Sequence, residues 1–310
     1  MTPAERAHSF AMPPGMSLRY DQPDPAIAAY ITGYHVYRSE GPQAAGQVDW
    51  FLPGTANVRV SINAGPISVT IGRRNFDPTP QAALYGPTSQ ALCAVTNGGT
   101  MIGFGVSALG WTRLFGPRPS ASASAYRDRI APVADLLGEA TTADLVARLT
   151  ASDRDAGVKP VLDTFLAEHL GPPRGNEAAI RKLTALIVED DTIDLPHAAA
   201  AVGISENALR RLATHYFGFP PKLLLRRARF LRSLMALWDD AAPDDYSGIA
   251  AAYFDTSHFL RDADAFLGMT PRRFMALNTP FLDASVRARA AVLGAPTQVL
   301  HRVPPGDVGA

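Results

Sequence analysis

Over residues 30–106 apolar side chains come in short runs or in alternation with polar ones, and Gly, Pro or Asn cuts each run: "YITGYHVYR", "VDWFLPG", "VRVSI", "ISVTIG", "AALYGP", "ALCAVT" and "MIGFGV". Short β-branched and aromatic stretches between turn formers predict a β-sandwich or barrel. The period then changes. In "GWTRLFG", "APVADLLGEA", "TTADLVARLTAS" and "VKPVLDTFLAEHL" apolar residues recur every three or four positions, which predicts short helices over 109–170. "GPPRGN" packs Gly and Pro into 171–176 and reads as a linker. Beyond it, 177–276 reads as helix apart from caps and turns, "TPFLDASVRARAAVLG" as one further helix, and "HRVPPGDVGA" as a frayed end. The expected fold class is therefore a multidomain α+β chain: a β-barrel with trailing helices over 1–170, a linker over 171–176, an all-α domain over 177–280, and a C-terminal helix and tail over 281–310.

The helical region carries two units of one layout. In "DLPHAAAAVGISENALRRLATHYFG", Asp194 is a candidate cap and Pro196 falls in the first turn, where a missing N–H does no harm. Gly203 is a natural left-handed exit, and Ser205 then caps a second helix running to about Phe217. Two helices joined through a glycine-containing turn make a helix-turn-helix, whose second helix can enter a DNA major groove. Leu209, Leu212, Ala213 and Tyr216 share the face expected to be buried. Asn207, Arg210, Arg211 and Thr214 share the other, with side chains able to reach base edges or phosphates. About fifty residues later "GIAAAY" is a short Ala-rich helix and Asp255 caps the next. Phe259, Ala263 and Phe266 point inward there, while Thr256, Ser257, Leu260, Arg261 and Asp264 point outward; Asp262 adds to Asp264 at an acidic outer end. Gly268 closes that helix and Pro271 opens another. Between the units "PPKLLLRRARFLRSLMALW" predicts a connecting helix of about 17 residues and about 25 Å, long enough to set two recognition helices roughly one DNA turn, about 34 Å, apart.

Charge alters this picture only locally. The chain of 310 residues balances 29 Lys and Arg against 29 Asp and Glu, so no overall basic excess points to nucleic acid. Residues 205–232, however, hold seven basic side chains and one acidic one. Arg226 and Arg227 in the connecting helix are candidate phosphate contacts, and such a stripe implies salt-dependent binding. The lone cysteine, Cys93, excludes an internal disulfide and Cys-based zinc clusters and fits a reducing cytoplasm. It sits among apolar neighbours and reads as a buried strand residue rather than a nucleophile. His35, with His8 before it, is too little for a metal-ligand set in the β region, and His258 has no second His or Cys at i+3 or i+4. No catalytic group, metal or cofactor is expected. The N-terminus lacks a signal-peptide pattern, and nowhere do about 18 apolar residues run on, so a cytoplasmic, non-membrane protein is expected.

The ordered combination "SENALRRL…FGFPPKLLLRRARFLRSL" and "YFDTSHFLRD…FLGMTP" resembles the DNA-binding domain of AraC/XylS-type transcriptional regulators over about 100 residues. The resemblance implies two helix-turn-helix units on either side of a linker helix. It places base-reading positions at Asn207, Arg210 and Arg211 in the first recognition helix and at Ser257, Leu260 and Arg261 in the second. Ala213 and Ala263 stand where that family usually has a core phenylalanine, Ala252 where it has glycine, and Asp264 where it commonly has a basic residue. "WFLPGTANVRVSINAG", "LYGPTSQAL" and "GGTMIGFGVSALGWTRLFG" look like the cupin-like sensor domain upstream of many such regulators, with Gly54 and Thr55 replacing an acidic-glycine pair. The implied function is a sequence-specific transcription regulator, an activator by family habit. Its expected partners are double-stranded promoter DNA, a small-molecule effector, RNA polymerase and a second copy of the chain. Tyr30, Tyr34, Tyr37, Trp50 and Phe51 form either the β core or a ligand pocket, with Tyr34 and Trp50 the pocket candidates. Two other readings stand beside this one: a small-molecule-binding barrel protein, and a protein-interaction regulator without specific DNA recognition.

Overall fold

The computed structural model describes residues 12–116, 121–189, 194–238, 253, 255–277 and 279–304. Its N-terminal part is built from two antiparallel sheets. Strands β1 (Met16–Asp21), β2 (Ile31–Ser39), β4 (Ala56–Ile62), β7 (Ala82–Tyr85), β9 (Gly99–Val106) and β10 (Ile130–Pro132) form a six-stranded sheet in the order β1-β2-β9-β4-β7-β10. Strands β3 (Ala45–Phe51), β5 (Ser68–Ile71), β6 (Arg74–Phe76) and β8 (Leu92–Asn97) form a second sheet in the order β3-β8-β5-β6. Among the described residues the strands do not close into a barrel.

The two-residue period of a strand decides what each face meets. Across the large sheet one register row is Tyr34, Phe104, Val58 and Leu84. That face lies under α1 (Ala108–Leu114), α3 (Glu139–Ala151) and α4 (Val158–His169), against Trp111, Leu145, Leu149, Leu162 and Phe165. Ser107 starts α1 by accepting the Gly110 N–H at 3.0 Å, and the short α2 (Ala134–Leu137) precedes α3. The next row, Tyr20, His35, Gly103, Arg59 and Ala83, faces the other way, into the space between the sheets. Val69, Ile71, Leu92 and Ala94 of the small sheet pack with Ala83, Tyr85 and Ile130 at one end of that space.

Helices α5 (Glu177–Glu189), α6 (Leu195–Val202), α7 (Glu206–Phe217), α8 (Pro221–Trp238), α9 (Thr256–Leu267) and α10 (Pro271–Met275) share a second core. Phe230 of α8 is its hub, with ring centroids 5.5 Å from Phe259 and 5.3 Å from Phe266. Across the linker Arg113 of α1 pairs with Glu177 at 2.6 Å and donates to the Gly171 carbonyl at 3.2 Å. No described helix is long and apolar enough to cross a membrane.

The last helix, α11 (Pro280–Leu293), leaves the helical part and wedges into the other end of the sandwich. Phe281, Ala284, Ala288 and Leu293 pack on Leu18, Tyr20 and Tyr37. Asp49 of β3, wholly buried, accepts the Phe281 N–H at 2.8 Å and so satisfies an orphan donor in the first turn of α11. Gly33 makes the approach possible, since a Cβ there would lie 2.2 Å from a Leu293 methyl. Between α11 and the Pro/Gly-rich end 301–310, of which 305–310 lie outside the described residues, the chain stays packed through residue 300. Ala295, Thr297 and Val299 are buried, and the Gln298 and Asn57 amides exchange hydrogen bonds at 2.8 and 2.9 Å. Long-range burial supplies what the local sequence lacks.

Two outcomes follow for stability. Phe281 is buried and meets Tyr37 edge-on at 5.1 Å, so Phe281→Ala is expected to cost about 3–5 kcal/mol in urea unfolding of the full chain. Burial, assisted by Arg59 and Arg289, holds the His35 imidazole well below the usual 6.5. Burial and Arg289 bring His301 down to about 4. Both are neutral when folded and take up a proton on unfolding below about pH 6.5, so each removes up to about 1.4 kcal/mol of stability per pH unit as pH falls from there. Urea midpoints measured between about pH 7.5 and pH 5 are expected to fall, and His35→Gln to flatten the slope.

Candidate nucleic-acid interface

The turn between α6 and α7 is set by local chemistry. Gly203 adopts φ 83°, where a side chain would be strained, and its N–H returns to the Ala199 carbonyl at 2.9 Å. Ser205 Oγ then accepts the Ala208 N–H at 3.3 Å and starts α7. The second unit repeats this pattern: Asp255 accepts the His258 N–H at 2.8 Å, which holds its carboxyl below the usual range, and Gly268 ends α9 at φ 73°. The His258 ring lies 3.1 Å from the same carboxylate, so this histidine belongs to the helix start. The first helix of this unit, "GIAAAY", lies outside the described residues except for Tyr253.

On α7, Leu209 and Ala213 are buried, while Leu212 and Tyr216 are half-buried. Tyr216 packs toward the β-rich part and its hydroxyl accepts a hydrogen bond from Asn176. Asn207, Arg210 and Arg211 are exposed. Arg210 donates to the Glu206 carboxylate and to the side-chain amide oxygen Oδ1 of Asn207, each at 3.0 Å. An exposed pair of this kind is worth at most about 1 kcal/mol, so it holds the guanidinium without locking it away from another acceptor. Thr214 is half-buried and lines a surface groove with Ser122 and Asn176. On α9, Thr256, Ser257 and Arg261 are exposed and Leu260 is half-buried.

The connecting helix departs from the sequence reading. It runs 18 residues, about 27 Å at the usual rise, but most of its basic side chains face the protein. Arg227, assigned above to phosphate, is 2% exposed. Its guanidinium donates to the carbonyls of Thr88 at 2.5 Å and Gly54 at 3.3 Å in the β-rich part, and burial lowers its pKa to about 10. Arg226, the other phosphate candidate, is tied to Asp262 at 2.5 Å, and Arg229 approaches the same carboxylate at 3.6 Å. Arg232 donates to the carbonyls of Ile187 and Val188 at the end of α5, a favourable place for a cation. Asp262 therefore does not make the outer end of α9 acidic. It is 3% exposed, turned onto α8, and also accepts from the Tyr253 hydroxyl at 2.7 Å. Asp264 remains exposed. Of the seven basic residues of 205–232, Arg210, Arg211 and Lys222 are exposed; outside that stretch Arg261, Arg272 and Arg273 are exposed as well.

The same surface that buries Arg227 fixes α9. The Phe266 carbonyl in its last turn receives the Ala91 N–H at 2.7 Å, and the Ala265 carbonyl receives the Gln90 amide at 3.2 Å. Orphan carbonyls at a helix end are thus met by the loop before β8. Neither pocket candidate occupies the space between the sheets. Tyr34 is three residues from Tyr37 and so on the opposite face, beneath the helices, with its hydroxyl on Asp163 at 2.7 Å. Trp50 turns outward to meet Phe274 of α10 at 6.1 Å. Cys93 is half-buried, and burial raises its thiol.

No protein-family model and no curated protein matches the chain. Among solved structures, ToxT from Vibrio cholerae O395 aligns at 12% identity over 79% of this chain and 97% of that one, with a TM-score of 0.42. Unsaturated fatty acid-bound ToxT from strain SCE256 aligns at 9% identity over 86% and 97%, also at 0.42. The AraC-like transcriptional activator CuxR aligns at 12% identity over 71% and 87%, with a TM-score of 0.25. With scores below 0.5, these alignments fix neither the fold nor the function.

The Asp262 cluster has a measurable weight. Asp262→Ala removes the acceptor shared by Arg226, Arg229 and Tyr253 and is expected to lower unfolding free energy by about 1.5–3 kcal/mol. A change within about 0.5 kcal/mol, as at an ordinary surface site, would show that water replaces the carboxylate freely.

Proposed function

We propose that the chain is a sequence-specific DNA-binding transcription regulator of the AraC/XylS type, in which α7 and α9 are the recognition helices. The observation that carries the reading is the selective exposure of their outer faces. Asn207, Arg210 and Arg211 on α7, and Thr256, Ser257 and Arg261 on α9, stand in solvent, while Arg226, Arg227, Arg229 and Arg232 between them have partners within the fold. Arg and Asn are side chains suited to guanine and adenine edges in the major groove. Each recognition helix is capped, ends at a left-handed glycine and is backed by α8, so the presented groups start from rigid elements.

In this reading α8 is a girder and contributes little to phosphate binding. Residues 177–277 form the DNA-binding part and 1–170 the sensor or dimerisation part, with the returning α11 packed into the latter. The β-rich part holds α8 through Arg227 and α9 through its last carbonyls. A shift in the loop before β8 would therefore alter how the two recognition helices are set.

Selection of bound fragments from genomic DNA by the full-length protein, at two salt concentrations, tests the reading. A defined motif is expected, with half-sites about one helical turn apart. The Arg210→Ala/Arg211→Ala double variant is expected to lose it. Binding is expected to weaken as salt rises, with a logarithmic slope of about −0.9 for each phosphate neutralised. Binding without sequence preference, or no binding, would sink the proposal.

A further inference from the structure

The space between the sheets holds a cavity of about 80 Å³ where α11 and the tail meet the inner face of the large sheet. Its polar lining is unusual in sign. Arg289 of α11 is 4% exposed and donates one N–H to the Thr32 carbonyl at 3.3 Å, yet its Nε and Nη1 find no acceptor in the protein. Arg59, on the inner row of β4, stacks on Tyr85 at 4.4 Å and leaves its Nε without an acceptor. Among the described residues neither arginine forms an ion pair. The Tyr20 and Tyr37 hydroxyls, 2.6 Å apart, share one proton between them and leave the other to donate. Buried donors, and charged ones above all, are normally met by acceptors; here the cavity lies where the acceptor would stand.

Backbone and walls narrow the choice further. Gly103 and Gly105 on β9 let His35 and Thr32 pack close on the sheet, since a Cβ at the first would lie 2.5 Å from the His35 ring and at the second 2.1 Å from the Thr32 hydroxyl. Leu282, Val286 and Leu293 supply an apolar side. At about 15 Å³ per small group, 80 Å³ accommodates on the order of five non-hydrogen atoms. Burial brings Arg289 down to about 10 and His35 well below its usual value, so the arginine stays charged and the histidine neutral near pH 7.

We propose that this cavity binds a short-chain carboxylate of about two to four carbons. An unpaired N–H of Arg289 takes the carboxylate, Arg59 and the Tyr20–Tyr37 pair complete the oxyanion shell, and the alkyl end lies against Leu282 and Val286. A hydrogen bond from a guanidinium to a carboxylate is charge-assisted and stronger than one between neutral groups, and the apolar side of the cavity suits an alkyl chain rather than an inorganic anion. One wall of the site is α11, the next helix in the chain after α10, so occupancy ties the end of the helical part to the sheet. The binding site stands on the cavity itself, whereas its role as an effector site rests on the regulator reading above.

Calorimetric titration and thermal unfolding of the full-length protein, without DNA, provide the test. The probes are acetate, propionate and butyrate, with phosphate, sulfate and the neutral isostere propionamide for comparison. At least one carboxylate is expected to bind saturably, at least about tenfold tighter than phosphate, sulfate or propionamide, one decade being 1.4 kcal/mol. Arg289→Met is expected to weaken it by at least the same factor, and Arg287→Met, on the exposed side of α11, to leave it unchanged. If Arg289→Met does not fold, Arg59→Met supplies the same comparison. Phosphate or propionamide binding as tightly as the carboxylates would overturn the ligand class, and no saturable binding by any carboxylate would overturn the site. With no DNA in the titration, these failures leave the regulator reading standing, and failure of the fragment selection leaves the site standing.

Discussion

A guanidinium taken out of water must be met by lone pairs, and in this chain that requirement joins segments far apart in sequence. Arg227 reaches the carbonyls of Gly54 and Thr88, and Arg289 reaches that of Thr32. Each is at least 96% removed from solvent, and among the described residues neither forms an ion pair, although the Asp128 charge acts on Arg227 from farther off. Neutral carbonyls accept hydrogen bonds but leave most of the desolvation of a cation uncompensated. Such groups stabilise little by themselves. Arg227 meets both acceptors where α8 docks at once on Thr88, in the loop before β8, and on Gly54, between β3 and β4.

The same reasoning explains why the sandwich needs its C-terminal helix. The inner face of the large sheet carries Tyr20, His35, Arg59 and Tyr37, too bulky and too polar to be covered by the small aliphatic side chains of the second sheet. The sheets pack closely where Val69, Ile71, Leu92 and Ala94 meet Ala83 and Ile130. At the other end α11 enters, with Phe281 and Leu293 filling the apolar gaps and Asp49 holding its first turn. Helices that wedge between diverging sheets leave irregular space beside them, and the cavity at Arg289 is that space.

A division of labour among the arginines gives the helical part its shape. On α8 they face inward or sideways, onto Asp262, onto the β-rich part and onto the end of α5. On α7 and α9 they face solvent. A rigid girder whose arginines are held within the fold, set between two exposed faces, makes the spacing of those faces a property of the fold rather than of bound ions. It also couples them to the β-rich part, since α8 and the last turn of α9 rest on the same loop.

The sequence by itself determined whatever is settled within about one helical turn. Ser205 and Asp255 accept N–H groups three residues on, Gly203 and Gly268 take the left-handed exit, and alternation in "VRVSI" divides Val58 and Val60 from Arg59. These are contacts with near neighbours, so residue type and spacing suffice to read them. Partner choice across the chain was not legible. Nothing near Arg227 tells that its acceptors lie 139 and 173 residues away, nor does "DAD" reveal that Asp262 turns inward while Asp264 does not. Tyr34 and Trp50 read as pocket residues by type, but register sent one beneath the helices and the other against α10. Residues 295–300, with no helix or strand of their own, were decided by tertiary structure alone, because burial against the open end of the sheets offsets the entropy lost in ordering them.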